Sequence, residues 1–195
     1  MQLNLPNSLT LARIIMIPIF GLVFFLPVEW AGPVAALVFA LAAVTDWLDG
    51  FLARRWEQTS AFGAFLDPVA DKLMVAVALV ALVAVNPSPW FAFAAAVIIG
   101  REIAVSALRE WMAELGKRAT VAVSLIGKFK TAAQMIAIIM LLYGEPVLGL
   151  PISVLGLILL YIAAGLTLWS MIIYLRAAWV VLESDPGEHG GRSET

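Results

Sequence analysis

The sequence has no cysteine and a single histidine, His189, among 195 residues. Disulfides, thiolate nucleophiles and zinc sites built on several Cys or His ligands are thereby excluded. Charge is also scarce: 13% of the residues are charged, against 63% apolar. Water-soluble domains carry about 25% charged and roughly 45–50% apolar residues, and a chain of one-domain length cannot bury this much apolar surface within itself. Its solvent is expected to be lipid. The net charge of −2 offers no general field for nucleic acid, so no such partner is expected. With soft ligands missing, any metal would be a hard cation held by carboxylates, Mg²⁺ or Mn²⁺. No basic segment precedes the first apolar stretch, since Arg13 comes late; that stretch reads as a permanent span rather than a cleaved leader.

Long apolar runs are abundant. A span needs about 20 mostly apolar residues, and six candidates lie at about 10–28, 33–53, 66–86, 89–108, 128–144 and 150–179. Pro27, Gly32 and Pro33, then Asn86-Pro87-Ser88-Pro89, then Gly144, Pro146, Gly149 and Pro151 supply the breaks. The connections around 28–32, 86–89 and 144–150 hold no Lys or Arg, and all 12 basic residues lie on or toward the other side. The positive-inside rule then puts both termini in the cytoplasm. The expected fold is an all-α integral membrane protein of six transmembrane helices spanning residues 1–182, with a short interfacial segment over residues 1–12 and Asn7 or Ser8 capping the helix that follows. The polar stretch 183–195 is expected to be a disordered tail.

The most informative stretch is DWLDGFLARRWEQTSAFGAFLDPVAD, from Asp46 to Asp71. Asp46 and Asp49 lie three apart at the end of the second span; Asp67 and Asp71 lie four apart at the start of the third. On helices each spacing puts both carboxylates on one face. If the two helices are antiparallel neighbours joined by a loop of about ten residues, four carboxylates converge. Such a cluster at membrane depth is very unfavourable without cations. One or two divalent ions resolve it, and two ions sharing carboxylates serve in-line phosphoryl displacement. An ion pathway uses intramembrane aspartates too, so a divalent-cation transporter is the rival from another class. Gly50, Ala53 and Gly63 leave the backbone open to a bulky ligand, and Arg54 is a fixed cation suited to phosphate.

The pattern Asp-x2-Asp-Gly-x2-Ala-Arg-x8-Gly-x3-Asp-x3-Asp resembles the signature of the CDP-alcohol phosphotransferases, matched here by Asp46, Asp49, Gly50, Ala53, Arg54, Gly63, Asp67 and Asp71. The resemblance implies a six-helix membrane enzyme whose site opens to the cytoplasm and holds two divalent ions. Asp46 and Asp67 would bridge both ions, with Asp49 on the first and Asp71 on the second, and Asp71 would also be the general base. Gly50, Ala53, Arg54, Ser60 and Gly63 would line the CDP site, with Asn7 and Thr10 touching the nucleotide. A homodimer is also implied.

A second stretch, from Arg101 to Thr131, gathers Arg101, Arg109, Lys117, Arg118, Lys128 and Lys130. Glu102 and Glu110 could pair with Arg101 and Arg109, which would make these arginines purely structural. Alternatively the cations form a pocket for an acceptor that carries phosphate, helped by the start of span five after Gly127. The spacing of a Walker loop is absent. This stretch, the opening Leu5-Pro6-Asn7-Ser8-Leu9-Thr10 and the aspartates resemble a branch of the family found in the bacterial cytoplasmic membrane. For that branch the donor is CDP-diacylglycerol and the acceptor sn-glycerol 3-phosphate. Arg101, Arg109, Lys117, Ser124, Lys128 and Lys130 are the candidates to bind the acceptor phosphate. Serine or inositol phosphate are the rival acceptors within the family, and serine would leave the basic cluster unexplained.

Overall fold

Where no water is at hand, every backbone amide must find its partner within its own segment, and the helix is the simplest way to do so. The computed structural model, which describes residues 5–56, 61–114 and 125–183, is all-helical. Its elements are α1 Leu5–Phe24, α2 Ala31–Trp56, α3 Ala61–Val85, α4 Pro89–Glu114, α5 Leu125–Tyr143 and α6 Ile152–Glu183. Local chemistry sets the ends. Ser88 leads into α4, its carbonyl accepting from the Ala92 amide at 3.0 Å, and Pro89 takes the first helical position, where its missing N–H costs nothing. After α5, Gly144 turns left-handed at φ 75°, the usual way for a helix to stop. Val147 and Leu150 then exchange both backbone hydrogen bonds, at 3.2 and 2.9 Å, around Leu148 (φ 52°) and Gly149 (φ 79°). Two successive left-handed residues make the tight reversal into α6.

The helices outrun the apolar stretches that signalled them. Residues 5–12 are part of α1 itself rather than a separate interfacial segment, and Asn7 and Ser8 sit inside its first turn instead of capping it. α2 continues to Trp56 and α3 already begins at Ala61, so the loop between them is shorter than the ten residues expected. Ala53, Arg54 and Arg55 are good helix formers; loss of apolarity there marks where the chain meets water, not where the helix stops. α4 likewise runs past residue 108 to Glu114. The tail from residue 184 lies outside the described residues.

α1 packs on both α2 and α3; α3 also meets α4 and α5; α2 lies against α5; and α6 covers α4 and α5. Alanine dominates the core, with Ala35, Ala36, Ala42, Ala78, Ala94, Ala95, Ala137 and Ala163 buried, and Phe20, Phe39 and Phe91 filling between them. Small residues let helices approach closely, the main source of cohesion where the solvent is as apolar as the protein. The outside is the reverse: Leu22 is 74% exposed, Phe93 62% and Trp169 63%, while Arg13 and Lys130 are 1% and 2% exposed. Apolar outside and charge inside is the pattern of a chain solvated by lipid. Among the described residues two helices, over Pro89–Met112 and Ile152–Arg176, are long and apolar enough to cross a membrane, and Ser8–Phe24, Ala31–Asp46 and Phe129–Tyr143 are shorter apolar stretches. Exposed Trp30 and Trp90 lie at one end of the helices, and Trp111 and Trp179 toward the other, as in the aromatic belts of membrane proteins.

Two glycines mark the closest approaches. A Cβ on Gly32 would sit 2.8 Å from the Leu142 carbonyl oxygen, and one on Gly156 2.9 Å from Met140 Cβ. Gly32→Ala is therefore expected to push α2 off the end of α5 at a cost of about 1–3 kcal/mol. Gly165→Ala, where nothing lies within 4 Å, should leave the melting temperature in detergent unchanged or slightly raised. Equal effects of the two substitutions would contradict this packing.

Candidate active site

Asp46 lies ten residues before the end of α2, and Asp71 ten residues after the start of α3. In an antiparallel pair this symmetry brings both to the same depth, about 15 Å from the connection at 1.5 Å per residue. Asp49 and Asp67 form a second such level nearer the connection. α1 wedges against both helices and places Arg13 between them. The Arg13 guanidinium, 1% exposed, donates to Asp46 Oδ1 at 2.7 Å. Arg13 and Asp71 also share the wall of one small cleft with Phe39, Met74 and Met135, and half-buried Asp71 feels the charges of Asp46, Arg13, Glu102 and Lys72. Two carboxylates are thus brought together around a buried cation. An arginine buried among apolar helices is stable only beside an anion, so the ion pair holds the Asp46 carboxylate against the guanidinium that lines the cleft.

These residues suit a hard divalent cation. The donors are carboxylate oxygens, the hard ligands such a cation takes, and an arriving cation would share Asp46 with the Arg13 guanidinium. Among the described residues no group of three or more His, Cys, Asp or Glu comes together. The side chains of Asp49 and Asp67, the other two carboxylates of the pattern, lie outside the described part.

A second polar cluster joins α4, α5 and α6. Arg101 Nη1 donates to Glu102 Oε1 at 2.7 Å, and Lys130 Nζ lies 3.4 Å from the same oxygen. Arg101 Nη2 reaches the Ser170 hydroxyl at 3.4 Å, and the guanidinium carbon stands 5.9 Å from the centre of the Tyr174 ring. A guanidinium held at two of its nitrogens beside an aromatic ring keeps its place. Buried Arg101 Nε, Gln134 Oε1 and Thr167 Oγ1 find no hydrogen-bond partner among the described residues, which leaves the band with polar capacity to spare.

Of the expected site residues, the structure therefore places Asp46 and Asp71 each beside Arg13, and Arg101 and Lys130 each on Glu102. Thr10 is buried on α1, near one turn from Arg13. Asn7, Gly50, Ala53, Arg54, Gly63, Arg109 and Lys128 have helical positions only, their side chains being outside the described part, and Ser60, Lys117 and Ser124 lie outside the described residues. Sequence reasoning passed over Arg13, treating it only as a marker of sidedness. Its place inside an apolar run was the available signal, since such a charge demands a partner. Ser170 and Tyr174 gave no comparable signal, because single polar residues are unremarkable in a long helix.

Residues 3–169 match the family described as CDP-alcohol phosphatidyltransferase. A protein of Sodalis glossinidius named CDP-diacylglycerol–glycerol-3-phosphate 3-phosphatidyltransferase is 60% identical over 178 residues, 91% of this chain and 96% of that protein. Proteins of Escherichia coli and Shigella flexneri with the same name are 58% identical over the same shares of both chains.

The Arg13–Asp46 pair is open to a double-mutant cycle. Arg13→Met and Asp46→Asn, melted in detergent with a chelator present, are expected to show a coupling of about 1–3 kcal/mol. Additive effects would mean that the two charges do not hold each other.

Proposed function

The chain belongs to the CDP-alcohol phosphatidyltransferase family, and on that footing we propose that it transfers the phosphatidyl group of CDP-diacylglycerol to sn-glycerol 3-phosphate, giving phosphatidylglycerophosphate and CMP. The observation that carries the reading is the near-coextensive match to relatives named for that reaction. The chemistry of the site agrees: a carboxylate cleft on α2 and α3 suits a diphosphate bound through cations, and the Arg101–Lys130 cluster suits an acceptor that brings its own phosphate.

Asp46, Asp49, Asp67 and Asp71 would hold two divalent ions, Mg²⁺ or Mn²⁺, which when bound neutralise the diphosphate and spread the charge that develops during displacement. Arg54 binds a phosphate oxygen of the donor. Gly50, Ala53, Ser60 and Gly63 line the CDP site, with Asn7 and Thr10 beside the nucleotide. Arg101, Arg109, Lys128 and Lys130, together with Ser124 and Lys117, take the acceptor phosphate and so aim its free hydroxyl at the β-phosphorus. The Asp71 carboxylate accepts the hydroxyl proton as the new P–O bond forms and the bond to CMP breaks. Arg13, held on Asp46, keeps that carboxylate oriented through the cycle.

The reaction fits a protein crossing the bacterial inner membrane six times, with both termini and the site on the cytoplasmic side, where the basic residues collect. The diacylglycerol chains remain among membrane lipids while the headgroup reaches the cleft. The working form is a homodimer. Residues 1–182 make up this enzyme domain, and the polar tail from residue 183 lies outside it.

Purified protein is expected to release CMP from CDP-diacylglycerol with glycerol 3-phosphate and not with serine or inositol phosphate. Release with either of the others would overturn the acceptor. Asp71→Asn should lower turnover by about 10²–10⁴-fold with an unchanged melting temperature; wild-type turnover would remove Asp71 as the base.

A further inference from the structure

The second cluster is asymmetric in a way that its charges alone do not require. The side chains of Arg101 and Lys130 are 10% and 3% exposed, but that of their shared counter-ion, Glu102, is 23% exposed. The cations are enclosed and the anion between them reaches the groove. Arg101 keeps its place without Glu102, because Ser170 and Tyr174 of α6 hold it from another side. Glu102 also faces a second environment. With Lys72, Leu73 and Ile103 it lines a groove of about 220 Å³ between α3 and α4, so an ammonium group of α3 lines the groove that the α4 carboxylate borders. Arg101 Nε is left with no partner among the described residues, so the guanidinium has donating capacity beyond what one carboxylate oxygen uses.

We propose that Glu102 is a displaceable counter-ion that makes the acceptor site selective for a phosphate dianion. It balances Arg101 and Lys130 while no acceptor is bound, and moves toward Lys72 when an acceptor phosphate takes its place. This rests on the reading that the cluster receives the acceptor phosphate. The selectivity is electrostatic. Two buried cations exact a large cost if left bare, so a neutral alcohol or a zwitterion cannot expel the carboxylate. A dianion brings one more negative charge and one more terminal acceptor oxygen than Glu102, and forms the stronger charge-assisted bonds. The residue thereby acts by exclusion: it raises the threshold that a competing ligand must meet.

The test uses the full chain in detergent micelles. Glu102→Gln removes the competitor and keeps a polar side chain of the same size. Its KM for glycerol 3-phosphate is expected to fall about fivefold, with inorganic phosphate inhibiting about fivefold more strongly. Lys72→Met removes the resting place, so it should raise KM in the wild-type background and have no effect on KM when combined with Glu102→Gln. A purely structural role for Glu102 would not produce that dependence. A KM that is unchanged or raised in Glu102→Gln, at a wild-type melting temperature, overturns the proposal. So does a Lys72→Met effect that is the same with and without Glu102. Stabilisation by inorganic phosphate relative to chloride, read from thermal melts, is expected to be greater in Glu102→Gln than in wild type, and equal stabilisation overturns the proposal. That measurement does not depend on turnover: if wild type releases no CMP with glycerol 3-phosphate, the assigned reaction fails while the melts still decide the role of Glu102. Should Glu102→Gln not fold, Glu102→Asp, a shorter and poorer bridge between the two cations, is expected to shift KM and phosphate stabilisation in the same direction, and no shift overturns the proposal.

Discussion

A positive charge inside an apolar bundle has to meet a negative one, and Arg13 meets Asp46 at 2.7 Å while only 1% exposed. Leaving either partner alone would cost several kcal/mol, of order 3–5 for a fully buried pair, with less expected here because Asp46 is 40% exposed. The pair ties α1 to α2 at the depth where α3 presents Asp71, so that three helices converge on a single cleft. The same constraint operates a few helices away, where Glu102 compensates Arg101 and Lys130. Neither cluster is an ordinary surface salt bridge. Each keeps charge at a depth where charge is costly.

The packing is subordinate to this. Alanine and glycine at the helix contacts allow the backbones to come close, and many large apolar side chains, Leu22, Phe93 and Trp169 among them, are turned outward. A bundle of this kind is rigid where backbones touch, as at Gly32 and Gly156, and this rigidity holds α5 and α6 in place as supports for Lys130, Ser170 and Tyr174. The connection between α2 and α3 is short, which fixes the two helices in register and brings the four aspartates of the pattern to two matching levels.

Much of this was legible in the sequence, and the failures have physical causes. The helical class, the aspartate pattern and its family follow from apolar runs and fixed spacings, which survive any rearrangement of the helices. Helix ends were misjudged because hydropathy reports the membrane boundary, whereas the helix of α2 continues through Arg54 and Arg55 and that of α4 through Arg109. Arg13 was undervalued because its partner is 33 positions away; long-range pairing is not encoded in local spacing. Glu102 was visible as a neighbour of Arg101, but that it also serves Lys130 depends on how α4 meets α5, and no periodicity reveals that.

The proposed function requires that the aspartates around the Arg13 cleft hold divalent cations. Titration of the purified protein with Mn²⁺, followed by electron paramagnetic resonance, tests it most directly. Two ions per chain are expected in the wild type, with at least one lost or greatly weakened in Asp46→Asn. The same stoichiometry and affinity in both proteins, or no binding in either, would contradict the claim.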